Sequence, residues 1–238
     1  MSHFKLLASS KTNMKLKKGM HIMETYMLSL SPHKQNSFGK NLCAHASDGC
    51  IQSCIFTSGN GGRFASVNIG RRKKTDWFLS DTVGFLTQLY RELYMVNALA
   101  QLDKTGIGIR LNGFSDIDFP ELFLNKLGVN ILADFSHLIF YDYTKDFKRA
   151  CKYLNSEYYL TLSRSETNED KCNMYLSLGG NVAVVFDKIP PTYMGYKTFI
   201  GDDNDLRFLD PQNVIVALSA KGKGRKDTSG FVVKTLNK

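Results

Sequence analysis

Four stretches decide the fold: IGIRLNGFSD (107–116), HLIFYDYTK (137–145), YYLTLSRSE (158–166) and VAVVFD (182–187). Each opens on apolar or β-branched residues and closes on polar ones, the pattern of a strand running into a turn. The segments between them, 120–127, 147–154 and 170–178, carry helical spacing. Strands separated by helices pair in parallel, because a tight turn cannot join two parallel neighbours. Working outward, METYMLSL (23–30) reads as a further strand on the N-terminal side. Next comes a strong helix with Ser80 or Asp81 as N-cap. Its Leu86, Leu89, Leu93, Val96 and Ala100 recur at spacings of three and four before Gly106. On the C-terminal side, 197–200 and VIVAL (214–218) bring the total to about seven strands. The expected class is α/β: a partial or complete (β/α) barrel with parallel strands and outer helices. With no internal repeat and no Pro-rich or Ser-rich linker, 23–238 reads as one domain. Residues 1–22 precede it as a basic tail or irregular strand, and 41–62 form a cysteine loop after the first strand.

Composition narrows the class further. Of 238 residues, 43% are hydrophobic and 22% charged, which excludes a disordered or fibrous chain. No apolar run is long enough to span a bilayer, and no apolar segment follows the N-terminal lysines as a secretory signal would. The expectation is a soluble protein of the cytoplasm, without a membrane partner.

The net charge of +9 is uneven. Residues 1–20, 40–75 and 219–238 together carry +15, leaving −6 for the rest of the chain. A basic rim around an acidic middle suits a phosphate-bearing partner, a nucleotide or nucleic acid. The runs Arg71, Arg72, Lys73, Lys74 and Lys221, Lys223, Arg225 are the candidate phosphate contacts, against the plainer reading of solvated surface charge.

Five cysteines, an odd number, argue against a disulfide framework. Three fall within twelve residues, Cys43, Cys50 and Cys54, spaced C-x6-C-x3-C in NLCAHASDGCIQSC. That segment lacks the apolar surroundings that turn a lone cysteine into a buried hydrophobe. Three thiolates on one loop fit a [4Fe–4S] cluster with one iron left open. They also fit zinc in a Cys3His site, with His45 or His33 as the fourth ligand. Zinc ligands usually come as two close pairs, and no second pair is present, so the cluster is the stronger expectation.

The C-terminal ends of the strands form the working face of a (β/α) fold. Those ends carry Asn112, Ser115 and Asp116, then Asp142, then Ser163, Arg164, Ser165 and Glu166, with Asp202, Asp203 and Asp205 further on. Turns recruit Asn, Asp and Ser for their own reasons, so the recurrence carries the argument rather than any one position. Asp142 and Glu166 are the candidate catalytic carboxylates, as bases or ribose ligands. Asn112, Ser115, Asp116, Ser163, Arg164 and Ser165 are the candidate cofactor-binding set, Arg164 for a carboxylate. The competing reading pairs Arg164 with Glu166 and Lys145 with Asp142 across the barrel mouth.

The motifs NLCAHASDGCIQSCIFTSGNGGRF, RLNGFSD, FYDYTK, LTLSRSETN and DLRFLDP, followed by IVALSAKGKGRKDTSGFVV, resemble a protein family encoded by tailed phages and prophages. In architecture, a cysteine loop after the first strand of a partial barrel is similar to the radical S-adenosylmethionine enzymes. That likeness implies a [4Fe–4S] cluster on Cys43, Cys50 and Cys54, with S-adenosylmethionine as a possible second cofactor. The cysteine spacing there is C-x3-C-x2-C, and RLNGFSD stands where those enzymes carry Gly-Gly-Glu. The leading expectation is a phage iron–sulfur protein acting on a nucleotide or nucleic acid. A second is a non-catalytic phage protein with a structural zinc that binds a host protein or nucleic acid. A third is a metal-dependent nuclease or phosphohydrolase using Asp116, Asp142, Glu166 and Asp202 to Asp205.

Overall fold

A computed structural model describes residues 5–13, 16–57, 59 and 63–235. Lys15 of the N-terminal run and the last three residues of GNGG lie outside them. The strands are β1 (Leu7–Ser9), β2 (Thr25–Leu28), β3 (Ile107–Arg110), β4 (Leu138–Thr144), β5 (Tyr158–Ser163), β6 (Asn181–Phe186), β7 (Thr192–Tyr193), β8 (Tyr196–Ile200) and β9 (Ile215–Ser219). They form one sheet in the order β1-β2-β3-β4-β5-β6-β9-β8-β7. From β2 to β8 every neighbour is parallel, and the edge strands β1 and β7 pair antiparallel with β2 and β8. The edges do not meet, so the sheet is open and the complete barrel is excluded.

Seven helices are described: α1 (Asp48–Gln52), α2 (Ala65–Ser80), α3 (Thr82–Asp103), α4 (Phe119–Leu127), α5 (Ile131–Asp134), α6 (Phe147–Lys152) and α7 (Glu169–Ser177). Side chains alternate along a strand, and the helices pack on one face of the sheet. Leu89, Leu93, Val96 and Phe123 share a core with Ile107, Ile109 and Phe140, and Tyr175 and Leu176 share one with Leu162, Val182 and Ile215. The opposite face carries Arg110, Tyr141, Tyr143 and Thr161 in the alternate registers. Its floor is closed by Phe208, whose ring sits 5.2 Å from that of Tyr141 and 6.1 Å from that of Tyr159. The cavity this leaves lies at the C-terminal ends of the strands.

Local chemistry accounts for most element boundaries. Asp81 caps α3 by accepting the Gly84 amide at 2.9 Å, and Lys104 ends it in a left-handed conformation. Trp77 packs edge-on against Phe85, 5.3 Å away, as part of the core. Of the two readings of the N-terminal segment, the strand is the one seen where it is described: Leu6 and Leu7 are buried and β1 pairs with β2. Residues 65–80 form a helix that the apolar pattern did not announce. β4 runs on to Thr144, so Asp142 lies within a strand rather than after one. Among the described residues no helix is long and apolar enough to cross a membrane.

Candidate functional site

Two adjoining cavities open at the C-terminal ends of the parallel strands, of about 250 and about 420 Å³. Cys50, Cys54, Ile55, Arg110, Tyr143 and Lys145 line both and form the wall between them. Cys43, Cys50 and Cys54 all face the smaller one.

The cysteine loop is held from several sides. Ser47 caps α1 by accepting the Cys50 amide at 3.3 Å. Glu166 reaches over from the end of β5, accepting from the Gly49 amide at 2.8 Å and from Ser47 Oγ at 2.7 Å. Gly49 has no space for a side chain: a Cβ there would lie 2.8 Å from Glu166 Oε1 and 2.2 Å from Ser229 Oγ. The Cys43 thiol donates to the Phe114 carbonyl at 3.3 Å and accepts from the His33 amide at 3.4 Å. Arg71 stacks its guanidinium over Phe114, 4.2 Å from the ring centre, and donates to the Phe56 carbonyl at 3.1 Å.

The thiols therefore sit among cations. Arg71 lies in the field of Cys54, and Lys145 hydrogen-bonds Cys50. Burial would lower the Lys145 ammonium, but Cys50 and Asp116 more than offset it and hold the pKa up. Burial pushes the Cys43 thiol up to about 12, with only the His33 amide opposing it, so by itself this thiol is neutral near pH 7.

Among the described residues, no three His, Cys, Asp or Glu side chains are grouped closely enough to hold a single metal ion. His45 lies 3.4 Å from Asp146. His33 lines the smaller cavity, with its backbone amide on Cys43. Cys50 and Cys54 lie near enough to Cys43 for their charges to act on it, and all three line the smaller cavity.

The two candidate catalytic carboxylates have other work. Asp142 is fully buried on the helix side of the sheet. It accepts from the Leu111 and Asn112 amides at 3.2 and 2.9 Å, from Asn112 Nδ2 at 3.1 Å and from the Tyr158 hydroxyl at 2.7 Å. Burial raises its pKa, and Arg110 and these donors pull back toward the ionised form. It anchors the end of β3 and faces neither cavity. Glu166 is the brace of α1 just described. Burial raises its carboxyl, but the hydrogen bonds from backbone and Ser47 prevail and hold it below the ordinary glutamate value.

The candidate cofactor-binding residues divide in the same way. Asn112 Oδ1 accepts Ser115 Oγ at 2.9 Å and the Ile117 amide at 2.8 Å, so Asn112 and Ser115 shape the loop whose surface lines the smaller cavity. Asp116 is ion-paired with buried Arg149 and accepts the Lys145 amide at 2.9 Å, which fixes the direction Lys145 takes. Ser163 lines the smaller cavity. Ser165 opens the turn into α7, its amide on Asn168 Oδ1 at 2.7 Å. Arg164 donates to the Gly230 and Phe231 carbonyls and pairs with Glu169 at 3.3 Å, so it holds the C-terminal segment rather than a ligand. Neither expected cross-mouth pair forms: Asp142 is taken by Asn112, Tyr158 and nearby Arg110, and Arg164 by Glu169.

The carboxylates of the nuclease reading are likewise dispersed, Asp202 to Lys221 at 2.5 Å and Asp205 to Arg110 at 2.5 Å. The basic runs split between surface and interior. Arg72 and Lys73 are exposed on α2, whereas Arg71 turns toward the cysteine loop and Lys74 Nζ donates to the Leu6 carbonyl at 2.6 Å. Lys221 lines the larger cavity and Lys223 the smaller, while Arg225 is exposed with Nε 3.4 Å from the Ala220 carbonyl. Sequence reasoning missed Arg110 and gave Lys145 only a structural pairing. The signal for Arg110 was present: it is the lone cation in the apolar run IGIRL.

A family model described as Gene product 88 matches residues 5–235. No curated protein and no solved structure matches the chain.

Proposed function

The chain belongs to the Gene product 88 family, and within that phage-type family we propose that it is an iron–sulfur protein acting on a nucleotide. Cys43, Cys50 and Cys54 would hold a [4Fe–4S] cluster. The observation that carries this reading is the convergence of three thiols on one cavity, with Lys145 and Arg71 beside them as compensating cations. Held by three cysteines, such a cluster supplies an open iron for a small molecule, and with it one-electron or Lewis-acid chemistry. The chain's own residues do the rest. Glu166 and Ser47 fix α1, and so the position of Cys50. Lys145 stabilises negative charge on the cysteine side of the wall, and Ile51, Ile55 and Phe56 limit the approach of water. The cysteine loop after the first parallel strand resembles that of the radical enzymes, and on that resemblance S-adenosylmethionine is the small molecule proposed.

The test is purification without oxygen, with iron, sulfide and zinc counted per chain and an absorption spectrum recorded. About four irons and four sulfides per chain are expected, falling to less than half in Cys50→Ala with its melting temperature measured alongside. Unchanged iron in that variant, or a wild-type chain that takes up no iron on reconstitution, overturns the reading. Reductive cleavage of S-adenosylmethionine by the loaded protein is the second readout.

A further inference from the structure

The larger cavity touches Cys50 and Cys54 but not Cys43, so it is a chamber behind the cysteine wall rather than part of the thiol cavity itself. Its volume of about 420 Å³ falls in the range of small-molecule pockets. A folded nucleic acid cannot enter such a space. Four cations line it, Lys18, Arg110, Lys145 and Lys221, against two carboxylates, Asp202 and Asp205. The excess is positive, and a phosphate monoester carries about −1.5 to −2 near pH 7.

The groups are also sorted by position. Arg110 is in the shared wall, its guanidinium 4.6 Å from the Tyr143 ring centre and pinned by Asp205. Because its position is fixed before any ligand arrives, little ordering is needed when it binds an anion. Lys221 and Lys18 stand on the rim, both drawn to Asp202: Lys221 Nζ to its side chain and Lys18 Nζ to its carbonyl at 2.7 Å. Val185, Leu218 and Phe231 supply an apolar side. Asp202, Asn204 and Ser219 offer acceptors of the kind that bind sugar hydroxyls.

We infer that this chamber is the substrate site and that its occupant is a nucleoside 5′-monophosphate. The phosphate is held by the cations of the rim and wall, and the base lies against Val185, Leu218 and Phe231. The inference rests on the cysteine reading only for the chemistry across the wall; the binding itself is a property of the chamber.

The experiment is calorimetric titration of the full-length protein with the ribo- and deoxyribonucleoside 5′-monophosphates, the corresponding nucleosides, and a single-stranded oligonucleotide. At least one monophosphate is expected to bind at least tenfold more tightly than its nucleoside. Val185→Trp, which fills the chamber, is expected to abolish that binding while iron per chain is unchanged. Should Val185→Trp fail to fold, Lys18→Gln combined with Lys221→Gln at the exposed rim is expected to weaken binding at least tenfold. Binding of no monophosphate, equal binding of nucleosides, or binding of the oligonucleotide alone overturns the inference. So does monophosphate binding that survives both the filled chamber and the neutralised rim. Monophosphate binding by a chain that takes up no iron upholds the chamber and removes the cluster, so the two readings fail separately.

Discussion

Asp142 shows how a residue type can mislead. An aspartate after FY in an apolar run reads as a strand-end carboxylate, because aspartates gather in turns. Only the tertiary structure shows it inside β4, facing the helices, with four hydrogen bonds accepted. Its replacement by alanine leaves the Leu111 and Asn112 amides and the Tyr158 hydroxyl without a partner in the core. Asp142→Ala is therefore expected to cost about 3 kcal/mol or more, read by urea unfolding; a change below about 0.5 kcal/mol would refute the anchoring role. Lys74 gives a pH-dependent counterpart. Burial depresses its ammonium to about 8, with Glu92 opposing and Arg71 adding to the effect. Between that value and the ordinary lysine value the unfolded chain binds the proton and the folded chain has released it. Stability from this group thus rises with pH through that window. The stability of wild type minus that of Lys74→Met should grow from pH 7 to pH 9.5, and a flat difference would show that the ammonium is not buried.

At the scale of elements, legibility followed burial. The strands from β3 to β6 and helices α3, α4, α6 and α7 bury apolar stripes and could be placed from the sequence to within a few residues. Helix α2 could not, because only Thr75 and Phe78 of its sixteen residues are buried and its exposed face is basic. β8 was placed at 197–200, whereas β7 is only two residues long and partly exposed, so its pattern is weak. The cysteines were found because their spacing stands out, whereas the brace on α1 was not, since Glu166 lies 117 residues from Gly49. That brace requires a glycine at 49, where Ser229, Glu166 and the Cβ of Phe231, 2.8 Å from an added Cβ, close the space. Gly49→Ala must push α1 off this seat. It is expected to destabilise the chain by about 1–3 kcal/mol and to speed amide exchange at Cys50 to Ser53, with the strands unaffected. Exchange unchanged in that segment would mean that the seat yields without moving α1.

Over the whole molecule, the site gathers distant parts of the chain. The thiols come from a loop after β2, the cations from α2 and from β3 and β4, and the cover from the end of the chain. There Asp227 accepts Ser53 Oγ at 3.2 Å and the Val232 amide at 3.0 Å. Val233 then bridges to Phe186 at the end of β6. Val233 of this strap packs against the second core, while Asp227 fastens the segment that carries Cys50 and Cys54. Removal of residues 227–238 should therefore leave most of the secondary structure in place while freeing that segment. The expected result is a far-UV spectrum close to that of the full chain, with labelling of Cys50 and Cys54 by a thiol reagent, in metal-free protein, at least tenfold faster. Cys172, a fully buried residue of α7, serves as the internal control and should label no faster. If Cys172 accelerates equally, the strap stabilises the whole fold and the local account fails. If no cysteine accelerates, Glu166 and Ser47 hold the loop without the strap.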